Sequence, residues 1–311
     1  MLQYETVKNW PFAPVINSYC ADDCIRYALS VGVAADPLAQ EQLCFVTEYE
    51  LQTLPTFVAT VGAPGAWASE PHTGIDWMQI LHGEHRMRFF RRLPTQGRLL
   101  SQTRVLSVVD KGQGRGALVT TQRQVQLAET GELLAQIEHV SFCRADGGYS
   151  ASAGASDEAL PALPAAPARA ADASLELPTH RNAALLYRLN GDRNPIHALP
   201  SAWQKAGFDQ PILHGLCTYG TAAQGLVRLA CAGDAGRLGS IAVRFSAPVH
   251  PGETLVLHLW RGVATENSQT MHFEMFVQER ACKVLSHGVA EVLHTALPEV
   301  GSQQGVHDAE H

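Results

Sequence analysis

The chain has 311 residues, 46% hydrophobic and 17% charged, with a formal net charge of −7; that is an ordinary globular make-up, and at roughly 150 residues per domain the length calls for two units. The acidic excess is spread along the chain with no basic stripe, which argues against a nucleic-acid partner. No run reaches the ~18 apolar residues of a membrane-spanning helix, and the N-terminus MLQYETVKNWPF lacks the basic-then-apolar pattern of a secretion signal, so no membrane association and a cytoplasmic location are expected.

Only four residues are lysine (Lys8, Lys111, Lys205, Lys283), so most of the positive charge is arginine, which suits a small anionic ligand. The seven cysteines are odd in number and scattered through apolar sequence, and they read as reduced core thiols. Cys20 and Cys24 have no second close pair to complete a zinc set, so no metal is expected.

In chain order, DDCIRYALSVGV reads as a helix with Ile25, Ala28, Leu29 and Val33 on one face. MRFFRRLPTQGRLLSQTRVLSVV reads as strand, Pro-x-x-Gly turn and strand, followed by the turn DKGQGRG and the strand ALVTTQRQVQLAE. Residues 145–177 are rich in Ala, Ser, Gly and Pro and read as a linker. Two helical segments follow, HRNAALLYRLN and LCTYGTAAQGLVRLACAG, the latter with Leu216, Tyr219, Ala223, Leu226 and Leu229 near helical spacing and with Gly220 and Gly225 suited to close wrapping by a curved sheet. IAVRFSAPVHPGETLVLHLWRGV and TMHFEMFVQERACKVLSHGVAEV then repeat the strand–turn–strand pattern of the first half. The rhyme predicts a duplicated α+β unit, each copy an antiparallel sheet around a helix.

The chemistry concentrates in GDRNPIH. One helical pattern stops at Asn190-Gly191 and another starts after Asn194-Pro195, with Asn194 as N-cap and Pro195 in the first helical position. Asp192 and His197 then flank a tight turn where a carboxylate and an imidazole converge on one water molecule. Downstream, Gly215 opens the second helix, where the first N–H groups lack intrahelical acceptors and can hold an enolate oxygen. Taken singly, Asp192 is ordinary turn chemistry and His197 one of 14 histidines; their joint occurrence with Asn194 decides for function. His214 is a cap with no chemistry assigned, Cys217 has no local base to activate it, and Arg86, Arg88, Arg91 and Arg92 read as the solvated side of a strand. ILHG occurs at 80–83 and again at 212–215, a repetition without evident weight.

GDRNPIH followed by AGFDQPILHGLCTYG resembles the hydratase 2 motif of the R-specific enoyl-CoA hydratases, the MaoC-like group. YALSVGV, LPTF, ILHGEHRMRF, LPTQG, VVDKGQG and VRFSAPVHPGETL follow in the family's order, covering nearly the whole chain. The resemblance implies a tandem hot dog fold of the α+β class: residues 1–144 as a non-catalytic unit housing the acyl chain, 145–177 as linker, 178–297 as the catalytic unit and 298–311 as a disordered tail. It implies hydration of a (2E)-enoyl-CoA to a (3R)-3-hydroxyacyl-CoA, with Asp192 and His197 binding the catalytic water, Asn194 supporting them and Gly215 giving the oxyanion N–H. Coenzyme A belongs to the substrate and no cofactor is implied. His82, Gly83 and Lys111 match positions that contact the thioester, and Glu48 matches an acidic residue near the site. Ala242 departs from the basic residue that relatives can carry for the coenzyme A phosphates, with Arg244 a candidate to compensate. Two rival readings are a hot dog thioesterase and a non-catalytic acyl-CoA-binding subunit. Two such units can pair within one chain, so a monomer and a homodimer both fit.

Overall fold

The computed structural model describes residues 1–36 and 38–301. The first half contributes β1 (Val15–Tyr19), β2 (Ile80–Phe89), β3 (Gly97–Asp110), β4 (Ala117–Leu127) and β5 (Leu133–Cys143); the second contributes β6 (Ala173–Pro178), β7 (Leu238–Phe245), β8 (Thr254–Ala264), β9 (Ser268–Val277) and β10 (Cys282–Leu293). They form one sheet in the order β1-β3-β4-β5-β2-β7-β10-β9-β8-β6. Each half therefore runs inward from its first strand through its third, fourth and fifth to its second, and the two second strands meet in antiparallel register, with Arg86 opposite Ala242. The sequence rhyme is reproduced as a pseudo-two-fold arrangement about that seam.

The strands form because alternate residues are apolar. Along β8, Leu255, Leu257 and Leu259 are fully buried and the intervening residues are only partly covered. The helices are α1 (Tyr4–Lys8), α2 (Ala21–Ser30), α3 (Ser150–Ala153), α4 (Ala183–Tyr187), α5 (Pro200–Lys205) and α6 (Gly215–Ala230). Cys217 to Val227 of α6 are all buried, so this helix is covered on every side. A Cβ at Gly220 would lie 2.6 Å from the Tyr27 hydroxyl and 2.7 Å from Val31 Cγ1, and one at Gly225 would lie 2.7 Å from Leu257 Cδ2. The small residues are what allow α2 and the sheet to close on the helix. The result is the α+β tandem hot dog architecture.

Three expectations need correction. The buried face of α2 is Cys24, Tyr27 and Ala28, continued by Val31 and Val33, whereas Leu29 is 45% exposed and Ile25 only partly covered. Tyr27 sets this rotation: its ring contacts Phe57 at 5.7 Å and Tyr187 at 6.2 Å, so tertiary aromatic contacts override the helix's own pattern. The segment read as linker is laid against the body. Tyr149 is fully buried and its hydroxyl donates to Val108 O at 2.8 Å, and Trp260 Nε1 donates to Arg169 O at 2.8 Å. Its last residues, from Ala173, are the edge strand β6, whose Leu175/Leu177 alternation is diluted by small neighbours. The third concerns the stretch from 298. Pro298 O accepts the Arg92 N–H at 3.0 Å and the Gly301 N–H donates to Glu132 Oε2 at 3.0 Å; the remainder of the expected tail, 302–311, lies outside the described residues. Among the described residues no helix is long and apolar enough to cross a membrane, and all seven cysteines are free thiols.

Candidate active site

The GDRNPIH turn is built by its own side chains. After α4 a short 3-10 turn, Arg188–Asn190, ends at Gly191, whose φ of 119° is a conformation L side chains rarely adopt. Asp192 Oδ1 then accepts the Asn194 N–H at 3.0 Å, and Asn194 Oδ1 accepts the Ile196 N–H at 3.2 Å, capping the turn Pro195–His197. The helix expected after Pro195 is this single 3-10 turn; a longer one is interrupted at Leu199, and α5 begins at Pro200. Asn194 thus acts by fixing the loop, while Asp192 keeps an exposed carboxylate.

His197 is buried, and its Nδ1 lies 2.8 Å from Ile212 O. A carbonyl only accepts, so Nδ1 carries the proton and Nε2 presents a bare lone pair. A carboxylate oxygen of Asp192 and a ring nitrogen from each of His197 and His214 lie within 4.8 Å of one another. That is the span one water bridges with two hydrogen bonds of about 2.8 Å. The same three residues are unsuited to chelating a metal: the rings of His197 and His214 are stacked, 3.6 Å apart and 25° from parallel, so an ion about 2 Å from one nitrogen in its ring plane lies well out of the other's plane.

Burial lowers the His197 pKa, opposed by the hydrogen bond to Ile212 and by the charge of Asp192. His214 is pushed down to about 4 by burial and by neighbouring His197, with Asp192 pulling the other way. Both imidazoles are therefore neutral at cell pH.

The first half supplies the opposite wall. β2 is bulged against β5 between His82 and Glu84, and a Cβ at the bulging Gly83 would stand 3.0 Å from Val140 O. His82 keeps a solvent-accessible face although protein surrounds it densely, as befits a concave wall; that crowding lowers its pKa, Asp192 raises it and His197 lowers it. Its ring meets Phe245 edge-on at 5.6 Å and His139 at 4.8 Å. Gly215 is the first residue of α6, and a Cβ there would be 3.3 Å from Phe245 Cε1 and 3.7 Å from His82 Nδ1. Asp192, His197, Gly215, His82 and Gly83 are thus brought to one place.

The other expected residues are less central. Lys111 is exposed, with its ammonium 5.6 Å from the Phe142 ring centroid, and Phe142 is the register partner of Leu81, the residue before His82 in β2; these contacts do not bring it to the cluster. Arg244 is held by Glu84 Oε1, 2.8 Å from Nη2 and 3.2 Å from Nε, and Glu84 Oε2 also pairs with Arg86 at 2.5 Å. Arg244 therefore staples the seam. Glu48 is not brought to the cluster: it is exposed in a loop whose Gln52 accepts from the Ala235 N–H at 3.3 Å, beyond the C-terminal end of α6. A cavity of about 300 Å³ lined by Val33, Phe45, Leu54, Gln224, Val227 and Leu229 lies at that same remote end. His214, Phe245 and Tyr187 also stand at the site; the sequence pattern marks His214 only as a cap and assigns Phe245 and Tyr187 no role. The signal for His214 was the repeated ILHG, since His82 of the first copy and Gly215 of the second are neighbours.

Two family models match the chain: the MFE-2 hydratase 2 N-terminal domain over residues 17–145 and the MaoC like domain over 163–281. Among curated relatives, "3-hydroxyacyl-thioester dehydratase Y" of Mycobacterium tuberculosis is 38% identical over 80% of this chain and 84% of its own length. The chain belongs to the MaoC-like hydratase 2 family. "Probable enoyl-CoA hydratase 2" of Dictyostelium discoideum is 32% identical over 91% of this MaoC-like chain and 94% of its own. The solved MaoC-like dehydratase of Phytophthora capsici superposes with a TM-score of 0.79, at 31% identity, over 94% of this chain and 99% of that one. Relatives with these names are hydro-lyases, and the double hot dog fold is shared with solved structures of the group. Of the two halves of this MaoC-like protein, only the second carries a GDxNPxH turn.

Proposed function

We propose that the chain catalyses the reversible hydration of a (2E)-enoyl-CoA to a (3R)-3-hydroxyacyl-CoA. The observation that carries this reading is the convergence of the Asp192 carboxylate and the His197 ring beside the N-terminus of α6. One water donates its two hydrogens to the Asp192 oxygen and the bare His197 Nε2, leaving a lone pair for attack on Cβ. As the C–O bond forms, the Cα=Cβ electrons move toward the thioester carbonyl, and the Gly215 N–H with the α6 dipole holds the enolate oxygen. The proton removed from water is returned to Cα, so water adds across the double bond and both side chains end as they began.

His82 and Gly83 would flank the thioester. With Arg244 engaged by Glu84, the exposed Lys111 is the candidate left for a coenzyme A phosphate. The resemblance to the family supports the (3R) configuration and an acyl-housing role for the first half. The test is the absorbance of the conjugated enoyl thioester with substrates of increasing chain length, and a (3R)-specific dehydrogenase to score the product. Asp192→Ala and His197→Ala should each lower kcat/KM by about 10²- to 10⁴-fold without unfolding the protein. Release of free thiol in place of hydration, or undiminished turnover in both variants, would overturn the proposal.

A further inference from the structure

Resting on that functional reading, we infer that His214 is a positioning residue, which holds the main chain of Asp192 with one ring nitrogen and clamps the ring of His197 with its face. His214 is 1% exposed. Its Nε2 lies 3.3 Å from the backbone oxygen of Asp192, and since a carbonyl only accepts, Nε2 is the protonated nitrogen. Its Nδ1 is buried with no hydrogen-bond partner. This assignment leaves an unpaired lone pair there in place of an unpaired N–H, the commoner of the two in buried protein. The two stacked imidazoles thus have opposite tautomers: His197 is protonated on Nδ1 toward Ile212, and His214 on Nε2 toward Asp192.

The ring is held by aromatic neighbours. His197 stacks on it at 3.6 Å between centroids; Tyr187 packs against it, tilted, at 4.9 Å, and Tyr27 of α2 lies 6.2 Å from Tyr187. His214 O also accepts the N–H groups of Cys217 and Thr218, tying its backbone to the first turn of α6 and hence to the Gly215 N–H. One residue therefore links the three groups the reaction needs: carboxylate, imidazole and helix N-terminus. A displacement of Asp192 by about 1 Å is enough to cost ~10²-fold in rate.

Two substitutions in the full chain separate the functions. His214→Phe keeps a ring to stack on His197 but loses the donor to Asp192 O; His214→Gln keeps an N–H at the equivalent reach but loses the ring. Without the donor, Asp192 is free to move from His197, whose pKa that carboxylate raises. The Phe variant should lose about 10- to 100-fold in kcat with KM little changed, and the acid limb of its kcat/KM profile should move to lower pH. The Gln variant should recover part of the rate and keep the wild-type limb. An acid limb in the Phe variant that stays at the wild-type position or moves to higher pH overturns the inference, whatever the rate, because looser packing alone relieves the burial that lowers the His197 pKa and does not move the limb to lower pH. Imidazole nitrogen NMR of the unliganded wild-type protein at pH 7 decides even where a variant misfolds. Neutral His214 protonated on Nε2 is expected, and protonation on Nδ1 or on both nitrogens overturns the inference. A wild-type protein that hydrates no enoyl-CoA would refute the functional reading instead, and the tautomer measurement would still judge the hydrogen bond.

Discussion

Gly215→Ala separates stability from catalysis. Gly215 has ordinary backbone at the first position of α6, so alanine meets no conformational penalty and gains up to about 1 kcal/mol of helix propensity, less at an end than in the interior. Against this stands a Cβ 3.3 Å from Phe245 Cε1, a contact that a half-buried ring relieves by a few tenths of an ångström. Thermal stability should therefore change by less than about 1 kcal/mol. The same methyl, 3.7 Å from His82 Nδ1, fills the gap through which a thioester carbonyl would reach the Gly215 N–H. Losing one oxyanion donor costs about 10²- to 10³-fold, so kcat/KM should fall by about 10², or ~2.7 kcal/mol in the barrier. The assay pairs a melting curve with the initial rate of enoyl absorbance loss. An alanine variant with wild-type kcat/KM would show that this amide does not hold the enolate.

Acidification should destabilise the fold before it protonates most carboxylates. His214 and His139 are held down to about 4 and about 3 mainly by burial, against about 6.5 in an unfolded chain. Their contribution is complete above pH 6.5 and is lost as pH falls toward the folded values, because the unfolded chain takes the protons first; melting temperature should drop over that window, less steeply in His214→Gln. Turnover, which needs neutral His197, should fall on the acid side of 6.5. Gly220→Ala places a methyl 2.6 Å from the Tyr27 hydroxyl and 2.7 Å from Val31 Cγ1, and should cost about 1–3 kcal/mol in a denaturant titration. Cys217→Ala should leave kcat intact, since burial pushes that thiol far up and its Sγ lies 3.3 Å from Ser30 O; abolished turnover in a folded variant would argue for covalent chemistry.

The GDRNPIH turn was legible because its shaping residues perform local tasks visible in sequence: Gly191 for a left-handed φ, Asn194 for a cap, Pro195 for the first turn. The strands were legible by alternation, and the wrapping of α6 by its small residues. What was hidden depends on partners far along the chain. The face of α2 is chosen by Phe57 and Tyr187, neither of which its own periodicity can reveal. Phe245 lies in the strand segment IAVRFSAPV, yet its place beside Gly215 follows from the β2–β7 seam. Glu48 matches the family only by its order in the chain, and the loop holding it is anchored by Gln52 at the other end of α6. Arg244 has the charge to bind phosphate, but its cross-strand neighbour Glu84 claims it, a pairing that only the register discloses.

The junction of β2 with β7 makes each half the other's edge protection. The second half made alone would offer β7 as an unsatisfied ladder of N–H and C=O groups, and the nearest complement to it would be the same strand of an identical molecule. Tethering two copies in one polypeptide replaces that self-association with a built-in neighbour, and it frees the neighbour from having to be identical. One copy keeps the GDxNPxH turn; the other is at liberty to diverge in its interior.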